Sequence, residues 1–237
     1  MKKNFVFLHL VDLQGSKFIA YELIDELIKT GLADQSEIFV YCNYDESKFD
    51  WLKEKVKDKK SFNLFFQKNN PRNVEIPTLI ELEKFCEDLD EESNILYMHH
   101  KGASQPYNVC VADWRKLMMH FTITHWKKCV EELETNDVVG VNWRVRPYNH
   151  FSGNFWWAKS SYIKQLPKLD LPEKYNYESQ FNFKLPWGDG YRHDAEFWIG
   201  LSKPKQFCLH RTDFGEEIDD WFNHYTTRYP KEKYDRH

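Results

Sequence analysis

The chain has 237 residues, enough for one large domain or one domain with an appendage. A net charge of −4 gives no basic footprint for nucleic acid, and no apolar stretch approaches the about 18 residues of a transmembrane segment. Five dispersed cysteines (Cys42, Cys86, Cys110, Cys129, Cys208) form no C-x-x-C pair, which argues against a zinc site or disulfide frame and for reduced thiols in a cytoplasmic protein.

The basic start and short apolar run of residues 1–10 lack a small-residue cleavage site, so Asn4 to Leu10 reads as a first strand. A loop over Asp12 to Ser16 leads to a helix from Phe18 to Thr30, whose stripe is Ile19, Leu23, Ile24, Leu27 and Ile28, and Gly31 stops it. Glu37 to Cys42 is a second strand, Phe49 to Lys57 a short charged helix, and Ser61 to Phe66 a third strand. After the break at Asn69-Asn70-Pro71, Pro77-Thr78 opens a helix from Leu79 to about Leu89. Asn94 to Met98 then has the length and apolar content of a strand buried on both faces. Strands alternating with helices point to βαβ units and a mainly parallel α/β sheet, with residues 1–104 as a nucleotide-binding half.

The fourth strand runs into His99-His100-Lys101-Gly102. In open α/β sheets ligands sit beyond the carboxyl ends of the strands, and two imidazoles, an ammonium and a glycine suit an anion there. An ordinary surface turn is the competing reading. Val109 to Glu134 follows as the longest helical pattern, with Asp113 and Arg115 near its start, and Asp137 to Asn142 is a further strand. The rest, residues 143–237, is turn-rich, and residues 105–237 as a whole are expected to form the sugar and acceptor half of a single domain.

Three stretches of that half carry chemistry. In His150 to Pro167, Ser152-Gly153-Asn154 sits among aromatics; in extended backbone Phe155 and Trp157 face one side and Trp156 the other, so one indole can pack in the core while the other lines a cleft. The high aromatic content, 17% of residues, is open to that use as well as to core packing. In Tyr191 to Ile199, Asp194 and Glu196 share a face in a strand and diverge in a helix, and either carboxylate can serve as a general base, with helix-start capping the alternative for Asp194. His210-Arg211 can touch phosphate or a metal, or simply end a strand. Two patterns carry less. Asp88-Leu89-Asp90 lies in an acidic solvated run, and His120 and His125, five apart, do not share a face of an α-helix.

Taken in order, Tyr97-Met98-His99-His100-Lys101-Gly102, Asp113-Trp114-Arg115, Val139-Gly140-Val141-Asn142, Phe151 to Ala158 (FSGNFWWA), Glu196 to Ile199 and Leu209-His210 resemble a family of small GT-A-type glycosyltransferases of bacteria, phages and large DNA viruses. The likeness extends to Phe5–His9, Lys29–Leu32, Asn70 and Glu75–Leu79, and covers nearly the whole chain. It implies a Rossmann-like GT-A fold and transfer of a sugar from a nucleotide-sugar, a UDP-sugar first among the candidates, to a glycan hydroxyl such as that of a surface polysaccharide. His9, Asn70, Glu75 and Thr78 are then expected near base and ribose, and His99, His100, Lys101, Gly102 and Arg115 around the diphosphate. Asp113, Asn142, Ser152, Gly153, Asn154 and Trp156 or Trp157 are expected to hold sugar or acceptor. Glu196, or failing it Asp194, is the expected base.

One departure from the wider GT-A pattern matters. Where a metal-binding D-x-D is usual, this chain has His99-His100-Lys101, which lacks carboxylates for a hard cation. Lys101, helped by the histidines and Arg115, is therefore expected to neutralise the leaving diphosphate without a metal; the alternative is a metal held by His99 or His210 with Asp194 or the donor phosphates. A non-catalytic glycan- or nucleotide-binding module on the same fold is the rival function.

Overall fold

A computed structural model describes residues 2–186, 188, 190–215, 217, 220 and 222–235, and of Pro71 only the backbone. Strand β1 (Asn4–Val11) is followed by helix α1 (Ser16–Lys29), β2 (Ser36–Asn43), α2 (Asp50–Val56), β3 (Phe62–Gln67), α3 (Ile76–Glu87) and β4 (Asn94–His99). The chain continues through α4 (Val109–Met119), α5 (Trp126–Glu132), β5 (Val138–Gly140), β6 (Trp143–Arg144), β7 (His150–Phe151), β8 (Trp156–Lys159) and α6 (Ser160–Ile163). Helix α7 (Gly190–Phe197), β9 (Gln206–Cys208) and α8 (Asn223–Thr226) complete it.

Seven strands form one sheet in the order β3-β2-β1-β4-β8-β5-β9, and β6 and β7 pair separately. β1, β2, β3 and β4 run parallel; β8 is antiparallel to β4 and β5. This is the mainly parallel sheet flanked by helices that the alternation of elements predicts. Alternate residues of each strand enter opposite cores. Val6, Leu8, Leu96, Met98 and Trp157 pack with α1 and α4 on one face, while Phe5, Phe7, Ile95, Tyr97 and Trp156 pack with α3 and α6 on the other. Every residue of β4 is buried, as its unbroken apolar run predicts.

Two features depart from the sequence reading. The long helix expected over residues 109–134 is divided by a single π-helical segment, His120–Thr124. Its wider turn brings His120 and His125 onto one face, ring centroids 4.5 Å apart, where α-helical spacing separates them. The second is β8, which enters the middle of the sheet antiparallel and pairs Tyr97 with Trp156. Its amino end therefore lies at the carboxyl end of β4, which carries the Ser152–Asn154 turn to the same edge of the sheet.

Candidate functional site

The chain runs outward from β1 through β2 to β3, then crosses back to place β4 on the other side of β1. Ligand crevices in open α/β sheets form outside the carboxyl ends of the strands at such a reversal. Here His9 and His99, paired in register, stand at that point. A cleft of about 450 Å³ opens above them, bordered by His9, Glu75, His99, His100, Lys101 and Gly102. Six residues expected in the first half are thus brought to one place by strand geometry.

The floor is a hydrogen-bonded set. His9 Nδ1 meets Thr78 Oγ1 at 2.8 Å, which fixes the ring. His100 Nε2 lies 3.1 Å from the Val11 carbonyl oxygen, and its other nitrogen, Nδ1, is buried with no hydrogen-bond partner among the described residues. Burial drives the His9 pKa well below the usual imidazole value, helped by the neighbouring His100 and His99, and pushes His100 down to about 3. Both rings are neutral near neutrality. His99 reaches Glu75 Oε1 with Nδ1 at 3.2 Å and the Gly153 carbonyl with Nε2 at 3.0 Å. Glu75 Oε2 accepts from Tyr97 Oη at 3.0 Å and Asn154 Nδ2 at 2.8 Å.

Lys101 holds the charge of the site. Its ammonium stands 4.1 Å from the centre of the Trp114 ring and donates to Tyr225 Oη at 3.4 Å, with no ion-pairing carboxylate among the described residues. Burial opposes its charge, but Tyr225, Glu196 and Glu75 outweigh burial and raise its pKa. Glu196 accepts the Gly153 N–H at 2.9 Å. Burial would raise its pKa; Lys101, His150, His193 and that N–H together hold it below the ordinary value, so the carboxylate stays ionised. Gly153 thus links His99 to Glu196 through one peptide residue. Its φ of +94° and the 2.4 Å that would separate a Cβ from Met118 Sδ leave room only for glycine. Gly102, at φ +91°, is equally constrained by Val111 and Arg115.

Other expected residues are placed differently. Arg115 is buried and spends its guanidinium on Glu22 and the Lys101 carbonyl, so it braces the turn instead of facing the cleft. Asp113 accepts from Arg228 and from the Tyr229 N–H, tying the C-terminal segment to α4. Asn142, at φ +53°, accepts from Thr212 N at 2.8 Å, away from the cleft. Ser152 is buried, and Asn154 spends its amide on Glu75, Ala195 and Trp156. The tandem tryptophans do alternate between faces, but both are fully buried, Trp156 donating to Asn154 and Trp157 to the Thr122 carbonyl. Neither lines a cleft, because helices cover both sides of the sheet there.

Asp194 and Glu196 lie on a helix and diverge. Asp194 accepts from Ser179 Oγ at 2.6 Å and Gln180 N at 2.8 Å, and burial raises its pKa to about 6 despite those bonds; it holds the loop over residues 179–183 and does not reach the cleft. Asn70 is exposed and binds Tyr177 Oη at 2.7 Å, outside the cleft. His210 is 3.0 Å from Tyr229 Oη and stacks on Phe121.

Among the described residues no three His, Cys, Asp or Glu side chains are placed together to bind a metal ion. His99 has both nitrogens engaged, Asp88 and Asp90 are exposed before the amino end of β4, and no carboxylate cluster accompanies His210.

Among the cleft residues that sequence reading missed, three shape its chemistry or geometry. Arg192, exposed on the first turn of α7 and without an ion pair among the described residues, borders the cleft as a second cation. Its place beside His193 and Asp194 was the available signal. Tyr225 comes from α8, in a segment with no periodic pattern. Val74 has φ +46°, a left-handed conformation that costs a β-branched residue about 1–3 kcal/mol, and it turns the chain so that Glu75 enters the cleft.

Several solved structures follow a similar chain course. A protein from Desulfovibrio desulfuricans assigned to the nucleotide-diphospho-sugar transferases is 8% identical, with 89% of this chain and 81% of that one covered and a TM-score of 0.46. The 4-diphosphocytidyl-2C-methyl-D-erythritol synthase of Anaerococcus prevotii is 11% identical over 93% of this chain and 95% of its own, at 0.43. S. aureus TarS 1–349, in complex with UDP-GlcNAc, is 13% identical over 92% of this chain and 60% of its own, at 0.45. At such identities and scores these likenesses assign no residue a role. No curated protein matches the sequence. The model of one family spans residues 22–209, most of the chain, and the protein belongs to that family, DUF8361, a domain of unknown function.

Proposed function

We propose that the chain transfers a sugar from a nucleotide-activated donor, with a UDP-sugar the first candidate, to a hydroxyl of a glycan acceptor. The observation that carries this reading is the cleft at the β1–β4 reversal, bordered by the Lys101 ammonium, which has no ion pair among the described residues and whose charge the ionised Glu196 supports electrostatically. Transfer needs one group of each sign. The bond from sugar to diphosphate breaks with negative charge developing on the leaving phosphate, which Lys101 and Arg192 offset. The acceptor oxygen forms the new bond to the sugar carbon as it loses its proton, and Glu196 is the base that takes it. Neutral His9 and His100 add no charge of their own to the cleft wall, and His9 is oriented by Thr78.

A thermal-shift series with UDP, GDP, dTDP and their sugars, each with Mn²⁺ and with EDTA, tests the reading. A ligand at a hundred times its Kd adds about 2.7 kcal/mol. Stabilisation by one nucleotide family, retained in EDTA, is expected, together with release of nucleotide from the matching sugar donor. Glu196→Gln should abolish that release and keep nucleotide binding. Absence of any nucleotide shift, or undiminished release in Glu196→Gln, overturns the assignment. Binding of nucleotide-sugar without release or transfer means a recognition module on the same fold.

A further inference from the structure

His99 has an oxygen acceptor at each ring nitrogen: the Glu75 carboxylate at 3.2 Å from Nδ1 and the Gly153 carbonyl at 3.0 Å from Nε2. A neutral imidazole carries one N–H and one lone pair, so with an ionised Glu75 one of these contacts would set lone pair against lone pair. The Gly153 carbonyl has no proton to offer. Glu75 already receives two hydrogen bonds at Oε2, leaving Oε1 for His99. We infer that Glu75 and His99 hold one proton between them near neutral pH, bound along the Nδ1–Oε1 contact, so that the pair is electrically neutral as a unit.

The surroundings make this proton consequential. From β1, His9 faces His99; from the end of β4 come Tyr97, His100 and Lys101; from α7 comes Glu196; the Phe155 ring packs edge-on. Burial keeps His9 and His100 uncharged, and burial and Glu75 keep the Tyr97 hydroxyl protonated. Burial, with Lys101, lowers the His99 pKa below the usual imidazole value, although Glu75, the Gly153 carbonyl and Glu196 favour the charged ring. The charged groups around the cleft are then Lys101, Arg192, Glu196 and the pair. Without its proton the pair adds one negative charge beside a cleft that, on the function proposed above, receives a diphosphate. Protonation of the pair thus removes a negative charge that would otherwise oppose the bound diphosphate.

Long-range proton–nitrogen spectra of the ligand-free, full-length protein, with His99 assigned by comparison with His99→Gln and carboxyl-carbon shifts read for Glu75, test the inference independently of turnover. At about pH 7 either both His99 nitrogens bear protons or Glu75 is a protonated acid, and in Glu75→Gln the ring is a plain neutral tautomer with Nε2–H. An ionised Glu75 together with a neutral single tautomer of His99 in the wild type overturns the inference, even where a variant fails to fold. Calorimetry with UDP adds a readout that simple packing loss would not give. His99→Gln leaves Glu75 charged and should weaken UDP by about tenfold, the scale of one uncompensated charge nearby, while the double variant His99→Gln/Glu75→Gln should recover most of that loss. A double variant as weak as His99→Gln counts against the charge argument. Should UDP not bind the wild type at all, the proposed donor falls, and the spectra still decide the proton.

Discussion

His9 and His99 end neighbouring parallel strands and open onto the cleft, whereas Trp156 and Trp157, on the next strand across, are wholly enclosed. Both stretches stand out in the sequence. The difference lies in position along the strand. Within a strand both faces are covered by helices, so alternation sends each indole into one of two cores. Past the carboxyl end the cover stops, and side chains meet solvent and ligand. The second half borders the cleft with Arg192 on α7 and Tyr225 on α8, and it supports His99 through Gly153, before β8, which also binds Glu196 of α7. Its conspicuous aromatic and acidic residues mostly hold those contributors in place.

The sharpest way to break this contrast is Trp157→Ala. As a core residue it should cost about 3–5 kcal/mol, read from the urea midpoint. A variant of unchanged stability that had lost affinity for nucleotide-sugar would return Trp157 to the ligand wall. Lys101→Ala should do the reverse, retaining a cooperative urea transition while sugar-transfer turnover falls about a hundred- to a thousandfold. Unchanged turnover in a folded variant removes the phosphate role.

A smaller effect separates Asp194 from Glu196. The folded-state pKa of Asp194 is raised from 3.8 to about 6, so the folded chain binds this proton more tightly than the unfolded one. Its stabilising contribution is fully present below 3.8 and is lost as pH rises through about 6, a change of about 2–3 kcal/mol. The stability difference between wild type and Asp194→Asn should carry that slope between about pH 4 and 6. A flat difference would mean that Asp194 is not held as a buried carboxyl. Smallest is Asp113→Asn, expected to lose about 1 kcal/mol with the Tyr229 hydrogen bond and to speed proteolysis within residues 222–235. If proteolysis is unaffected and acceptor use changes instead, Asp113 belongs with the ligand contacts.

Legibility in the sequence followed the range of the interactions. Strand alternation, the α1 stripe and the strand-end position of His99–Gly102 depend on neighbours a few residues apart and could be read directly. The sequence also showed that Asp194 and Glu196 would part if their segment were helical, though not that it was. The partners of Arg115, Asp113 and Asp194 could not be read, because Glu22, Arg228 and Ser179 reach them only after the chain has folded.

By itself, then, the sequence determined the alternating strands and helices, the two-sided burial of β4 and the placing of His99, Lys101 and Gly102 at its end. These follow from periodicity, which the backbone imposes locally. Tertiary structure alone decided the antiparallel entry of β8, which sets Gly153 between His99 and Glu196, and the αL turn at Val74 that brings Glu75 to His99. It also decided that Lys101 would be sheltered by Trp114 and Tyr225, from segments remote in the chain, with no ion pair to a carboxylate among the described residues. Such contacts depend on how elements pack across the sheet, and no local pattern encodes them.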